Sequence, residues 1–441
     1  MNPVSKSIVK PVPFHIATNP SILSLATYYC SLIQDTRHQS RVRITSKKLS
    51  MNTASSFPHE RGGFTGYVLL WLAGLYLRTT ILAAPPVAPM IKEDLQLGGS
   101  AVGMLTTLPT LLFAAFAILG ALIVSRWGAR NTVIYGLVLA GAGSALRGAA
   151  VGSLSLYGAT FVMGAGIAAM QPALPTLVYR WYPLRIGFCT ALYTNGLLVG
   201  EVMSSGLTLP VVLPLLGGSW RLSFLFWSLP AFLVALAFIA TPRERDREEK
   251  PPSLWWPDWR DPNVWLLGLA LGGASGLYFG TNAYLPSLLH GMGHSGQTTQ
   301  ALVVLNGSQL ISSAILLVWS RIFVGRRLPL ILLSLVGAVC AAGLYLGLAP
   351  VVLAGVIGLS SSFMLILLLA LPPLLGGEER TASISAGMFT LAYVCAFVIP
   401  LVGGMFWEAT QEAGTAFVPL FACMILAAVL CALLRMEASS Q

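Results

Sequence analysis

The chain has 441 residues, 56% of them hydrophobic and only 10% charged, with a net charge of +10 from 26 Lys+Arg against 16 Asp+Glu. Soluble domains carry about 25% charged residues, so this composition excludes a water-soluble globular protein and indicates an integral membrane protein. The basic residues fall in short segments between apolar runs, a pattern of membrane topology and not of a nucleic-acid partner.

Residues 1–62 stand apart. They are rich in Ser and Thr, carry His15, His38 and His59, and include a basic run from Arg41 to Lys48. Their most apolar stretch, 21–33, is too short to cross a bilayer. A disordered N-terminal extension is expected; a targeting peptide, or a translation start at Met51, are the other readings.

From Phe64 onward, apolar runs of about 20 residues or more recur, each long enough for a membrane-crossing helix. Twelve are expected: 64–90, 101–124, 132–150, 154–178, 187–213, 221–240, 262–288, 299–323, 328–348, 350–375, 382–406 and 414–435. Runs this long and uniformly apolar are helices, not the alternating strands of a barrel. The expected fold class is therefore an all-α membrane protein. Cys189, Cys340, Cys395, Cys423 and Cys431 lie in or beside these runs without CxxC spacing, as small buried apolar residues do.

Charge sets the orientation. With the N-terminus inside, the inner segments hold fourteen basic residues, from Arg126 and Arg130 to Arg435, against Lys92, Arg147 and Arg221 outside. That asymmetry obeys the positive-inside rule and places both termini in the cytoplasm. The charged stretch 241–261 divides the chain into a six-helix bundle at 63–240 and another at 262–436, with a short cytoplasmic tail at 437–441.

The halves echo each other. Gly74-Leu-Tyr-Leu-Arg-Thr-Thr80 in the first span reappears as Gly276-Leu-Tyr-Phe-Gly-Thr-Asn282 in the seventh, at an offset of 276 − 74 = 202 residues. Leu174-Pro-Thr-Leu177 parallels Leu371-Pro-Pro-Leu374, and Ser125-Arg126 parallels Ser320-Arg321. Together these echoes indicate a parallel repeat of two six-helix units.

Six plus six helices around a charged central loop resembles the major facilitator superfamily. Ala121-Leu-Ile-Val-Ser125-Arg126-Trp-Gly128-Ala-Arg130 is similar to its inner-gate loop signature. Arg126, Gly128 and Arg130 fit that signature; Ala121 and Ser125 depart from it, and Ser125 removes the acid of its usual salt bridge. Within the superfamily the chain resembles the cyanate and nitroimidazole transporter family. That likeness rests on Leu77-Arg-Thr-Thr80 with Pro85-Pro86, Leu105-Thr-Thr-Leu-Pro109, Gly164-Ala-Gly-Ile-Ala168 through Leu174-Pro175, and Tyr193-Thr-Asn195-Gly196. It implies uptake or exchange of small anions or nitro-bearing compounds.

Arg78 is the residue that demands an explanation. It lies 14 residues past Phe64, about 21 Å into a hydrocarbon core about 30 Å thick. A guanidinium there costs at least about 2.5–3.5 kcal/mol and cannot neutralise itself. Glu201 lies 14 residues past Gly187 in the parallel fifth span, hence at the same depth. Three readings follow. The two form a permanent ion pair; or Arg78 binds an anionic substrate while Glu201 carries a coupling proton; or Arg78 binds substrate and Glu201 is only polar lining. In the second, an ionised Glu201 competes with substrate for Arg78, and protonation frees the planar guanidinium to make two parallel hydrogen bonds to an anion.

Other polar residues lie within spans: Gln171, Asn195, Asn282, Asn306 and Gln309, with Tyr76, Tyr193 and Tyr278. Interhelical hydrogen bonding accounts for any one of them. The repeat sets Tyr278 and Asn282 against Tyr76 and Thr80, so the candidate substrate site is Arg78, Tyr76, Thr80, Gln171, Asn195, Tyr278 and Asn282, with Glu201 for the proton. Arg147 and Arg221, near outer span ends, are expected to snorkel to the headgroups. Gly291 and Gly293 argue against a metal site at His290 and His294.

The leading expectation is a monomeric secondary transporter in the cell membrane, with a small-molecule substrate, an optional proton, no cofactor and no nucleic-acid partner. The sequence holds no GxxxxGK[ST] loop for nucleotide hydrolysis. Efflux of drugs or nitroaromatics is the alternative within transporters. An integral membrane enzyme is the alternative outside them, although the chain has neither GxSxG nor HExxH.

Overall fold

Proline content, glycine spacing and apolar length together decide how this chain is cut into helices. The structure is a computed structural model and describes residues 63–96, 99–241 and 254–434. The expected extension at 1–62, much of the central linker and the tail lie outside the described residues.

Twelve membrane helices follow in order. They are α1 (Gly63–Asp94), α2 (Gly99–Trp127), α3 (Ala129–Gly148), α4 (Ser153–Trp181), α5 (Ile186–Leu215), α6 (Trp220–Ala240), α7 (Pro262–Gly291), α8 (Thr298–Phe323), α9 (Arg327–Tyr345), α10 (Pro350–Leu369), α11 (Leu371–Thr410) and α12 (Phe417–Leu433). Ten stretches among the described residues are long and apolar enough to cross a membrane. One of them, Pro350–Thr410, has 61 residues; at about 1.5 Å per residue it is far too long for one crossing. It divides into α10 and α11. The one helix of the twelve outside these stretches, α3, is diluted by Arg130, Asn131 and Arg147. Large apolar side chains such as Leu233, Ile239, Val339 and Val429 remain exposed on the outer faces, which suits a lipid surround and not water.

The first six helices pack on one another, as do the last six, and the pairings repeat. Helix α1 packs on α5 as α7 packs on α11; α2 on α4 as α8 on α10; α3 on α6 as α9 on α12. The two sets meet through α2 against α11 and α5 against α8, contacts exchanged by the same repeat. At the basic end of the bundle, Arg130 donates to the terminal carbonyls of α6 at Phe238 and Thr241. In the second half, Arg327 donates to Ala432 near the end of α12. Both place a cation on carbonyls that a helix end leaves unpaired.

Helix α1 is broken and α7 is not. Pieces Gly63–Tyr76, Thr79–Leu82 and Ala84–Asp94 are joined at Leu77–Arg78 and at Ala83. The second break has a local cause: Pro85 and Pro86 offer no N–H and crowd the carbonyls four residues back. At the first, Leu77 N–H and Arg78 N–H donate to Gly74 O and Leu75 O, a tighter i−3 turn than the α-helix.

Candidate functional site

A cavity opens where the two sets of helices meet, with about 550 Å³ of space, part of it continuous with solvent. From the first half it receives Arg78 and Glu201; from the second, Tyr278, Phe279, Gln309, Ser361 and Tyr393. Arg78 and Glu201, matched in depth by residue counting alone, therefore share one wall.

Glycine brings them there. A Cβ on Gly74 would lie 1.9 Å from the carbonyl oxygen of Tyr193; one on Gly196, 2.2 Å from that of Trp71; one on Gly200, 2.2 Å from that of Leu75. Helices α1 and α5 thus touch backbone to backbone, through small residues spaced four apart on α5. Gly200 sits beside Glu201 and Leu75 three residues before Arg78, so this crossing fixes their separation. The spacing Gly196-Leu-Leu-Val-Gly200 is a sequence signal for the crossing.

Arg78 is half-buried, with its guanidinium carbon 5.6 Å from the centroid of the Phe279 ring. Among the described residues it makes no ion pair within 4.0 Å, with Glu201 or any other acid. Glu201 instead turns across the cavity, its Oε1 2.9 Å from the Tyr278 hydroxyl.

The other candidates sit behind the cavity wall. Tyr76 is 2% exposed and packs in the first-half core, while Tyr278, its repeat counterpart, faces the cavity. The tight turn after Tyr76 rotates Arg78 inward in its place. Thr80 is fully buried. Gln171 donates from α4 to the Tyr393 hydroxyl of α11 at 2.8 Å. Asn195 accepts from Trp71 Nε1 at 3.0 Å and donates to Ser313 of α8 at 2.9 Å. Asn282 donates to the carbonyl of Tyr278 at 3.0 Å and accepts from Asn306 at 3.2 Å. Gln171 and Asn195 therefore tie the halves together beside the cavity without lining it.

Tyr393, Phe279 and Ser361 were not among the sequence candidates. Tyr393 had a signal: Leu192-Tyr-Thr194 is echoed by Met388-Phe-Thr390 at an offset of 389 − 193 = 196 residues. That echo sets Tyr393 opposite Leu197, and both line the cavity.

Arg147 departs from expectation. It does not snorkel: it is 0% exposed. It donates to the carbonyl oxygen of Thr80 at 2.9 Å and to Met163 Sδ at 3.2 Å, with its guanidinium 4.2 Å from the Phe224 ring centroid. A carbonyl near the breaks in α1 offers a partner that the headgroups would otherwise supply, and the ring face suits a desolvated cation. Arg221 pairs with Asp94 at 2.7 Å and reaches the carbonyl of Ala150, clamping the ends of α1, α3 and α6 away from the basic end.

At the basic end, Arg126 is exposed, and Gly128 takes a positive φ of 81° that lets α3 start. Arg180 of α4 pairs with Glu378 of α11 at 3.3 Å, and Arg380 pairs with Asp261 at 2.7 Å. The bend carrying Glu378 and Arg380 turns on Gly377, whose φ of 57° favours glycine. The halves thus hold an ion pair across this end although position 125 lacks an acid.

Two repeat-related helix sets around a cavity that holds a fixed charge define a membrane carrier. Residues 70–400 match the Major Facilitator Superfamily, and the chain belongs to that superfamily. It is similar to the "Uncharacterized transporter YycB" of Bacillus subtilis (strain 168), at 28% identity over 79% of this chain and 88% of that protein. It is 32% identical to the "2-nitroimidazole transporter" of Escherichia coli (strain K12) over 50% of this chain and 56% of that one. With the "Cyanate transport protein CynX" of the same organism it shares 27% over 69% and 80%. Its fold matches the crystal structure of the major facilitator transporter FucP in the outward conformation with a TM-score of 0.68, at 14% identity, over 84% of this chain and 99% of that one. The protein is a multi-pass secondary transporter, not an enzyme.

Proposed function

We propose that the protein moves a small anionic or nitro-bearing compound across the cell membrane by alternating access, with Arg78 as the anion site and Glu201 as the proton carrier. The observation that carries this reading is a half-buried guanidinium at a cavity wall with no acid in ion-pairing range among the described residues. A charge held at this cost in a membrane core serves a visiting partner when it has no resident one. Arg78 offers two parallel N–H groups to a pair of oxygens or a linear anion, and the Phe279 ring covers one flank.

Gln171 and Asn195 would act by joining the rocking halves, and Tyr76 and Thr80 by seating the turn that presents Arg78. Arg126, Gly128 and Arg130, together with the Arg180–Glu378 pair, form the gate at the cytoplasmic end. Division at 241–261 into bundles 63–240 and 262–436, cytoplasmic termini and a monomeric carrier belong to the same proposal. The relatives named for cyanate and 2-nitroimidazole supply the first two compounds to try.

The test is counterflow in proteoliposomes of the purified protein, with labelled cyanate and 2-nitroimidazole. Saturable exchange that falls sharply in a folded Arg78→Ala variant supports the anion site; exchange at the wild-type rate in that variant removes it.

A further inference from the structure

The hydrogen bonds around Tyr278 can be counted, and the count places a proton. Asn282 directs its Nδ2 at the main-chain carbonyl of Tyr278, 3.0 Å away. Asn306 directs its Nδ2 at the main-chain carbonyl of Leu302, 2.8 Å away, and at Asn282 Oδ1, 3.2 Å away. An amide's orientation is set by its hydrogen-bond network, and a carbonyl only accepts. Neither amide can turn over without facing oxygen to oxygen. Asn306 is therefore left presenting Oδ1 to the Tyr278 hydroxyl, with which it is hydrogen-bonded.

On its other side the same hydroxyl meets Glu201 Oε1 at 2.9 Å. A phenol has one proton to donate. Two acceptor oxygens face it, one pinned and one on a carboxyl, while the Gln309 amide of α8 reaches the same hydroxyl as a donor and so takes none of its proton. With Glu201 ionised, one O–H would serve both and one contact would be oxygen against oxygen. With Glu201 protonated, the chain closes: Glu201 donates to Tyr278 Oη, Tyr278 donates to Asn306 Oδ1, and Asn306 donates to Asn282 and Leu302.

We infer that Glu201 carries its proton in this arrangement, and that Tyr278 and Asn306 sense it across the junction between the two halves. This deepens the transport reading above and rests on it for the meaning of coupling. Protonated Glu201 is occupied with Tyr278 of α7, which leaves Arg78 free for an anion. When the proton leaves for solvent reaching the cavity, the Tyr278 O–H has to choose between Glu201 and Asn306, and the contact between α5 and α7 or that between α7 and α8 opens. The ionised carboxylate can then turn to Arg78. The other ionisable groups on this cavity are Arg78 from α1, Tyr278 from α7 and Tyr393 from α11; α8 and α10 contribute the neutral Gln309, Ser361 and Ser362. Tyr278 and Asn306 thus become positioning residues for the proton, a role distinct from lining the substrate site.

The test is infrared spectroscopy of the purified full-length protein in lipid nanodiscs, labelled with ¹³C at the glutamate carboxyl. Wild type at neutral pH should show a carboxylic-acid C=O band that is missing in Glu201→Gln. Tyr278→Phe removes the acceptor and should shift that band; Asn306→Ala, which frees the phenol to donate to Glu201, should shift or weaken it. Asn306→Ala serves as the second variant if Tyr278→Phe does not fold. Two results overturn the inference: no band separating wild type from Glu201→Gln at neutral pH, or a band unmoved by either variant. Arg78→Ala is expected to keep the band, so failure of the anion site and failure of the proton assignment give different results.

Discussion

Helices α1 and α7 began from the same peptide pattern and serve different ends. Gly276-Leu-Tyr-Phe-Gly-Thr-Asn282 runs through an unbroken helix of 30 residues, and a Cβ on its Gly280 would meet Leu420 of α12 at 2.7 Å. Arg78, the counterpart of Gly280, follows a tight turn and faces the central cavity instead. The supports differ as well. Gly268, Gly272 and Gly276 of α7 receive the side chains of Leu391, Cys395 and Ile399, whereas Gly74 of α1 receives backbone. One half packs its first helix through adaptable side chains and the other through rigid main chain. The rigid crossing is the one that carries the charge, where the position of a guanidinium has to be held.

Substitutions should separate the two helices. Arg78→Ala is expected to have the largest effect, on transport: losing a charged hydrogen-bonding partner costs about 1.5–3 kcal/mol, or on the order of 10–100-fold in uptake rate. A charge moved to the α7 position by Gly280→Arg should not restore it in the Arg78→Ala background, because that position packs on α12. Rescue measured by counterflow would mean that the halves are interchangeable.

Arg147→Ala should be the most destabilising single change, by on the order of 3–5 kcal/mol, from the lost bond to Thr80 and the void left among Met163 and Phe224. Thermal unfolding followed by tryptophan fluorescence checks it; a melting point equal to wild type would show that the breaks in α1 need no brace. Gly200→Ala should cost about 1–3 kcal/mol as an overpacked contact, and more than Gly272→Ala, whose Cβ meets the side chain of Cys395 and not a backbone. Equal losses would erase the distinction between rigid and adaptable crossings.

The smallest effect should come from Arg180→Ala. The Arg180 and Glu378 side chains are each 29% exposed, and such pairs contribute about 0–1 kcal/mol. We expect a few-fold change in cysteine accessibility at the basic end and little change in melting point.

Much of this was legible in the chain. Twelve spans, the repeat and the shared depth of Arg78 and Glu201 follow from apolar length and a fixed rise per residue, which are properties of a helix in lipid whatever surrounds it. Arg147 shows where such reasoning stops. Its distance from the span end is compatible with snorkelling, and only the arrival of the Thr80 carbonyl and the Phe224 ring from other helices makes burial tolerable. Tyr76 and Tyr278 show the same limit, since a shared Gly-Leu-Tyr cannot reveal that a turn one residue later rotates one helix and not the other.

Hydropathy and charge read along the chain suffice for a membrane carrier of two related halves with a charge at mid-depth, because hydrophobic length and the cost of burying a guanidinium are local quantities. Which polar groups share the cavity, and that Glu201 meets Tyr278 and not Arg78, emerge only once the helices are packed. Those outcomes depend on how closely helices approach and which way they are turned, and that is settled between segments distant in the chain.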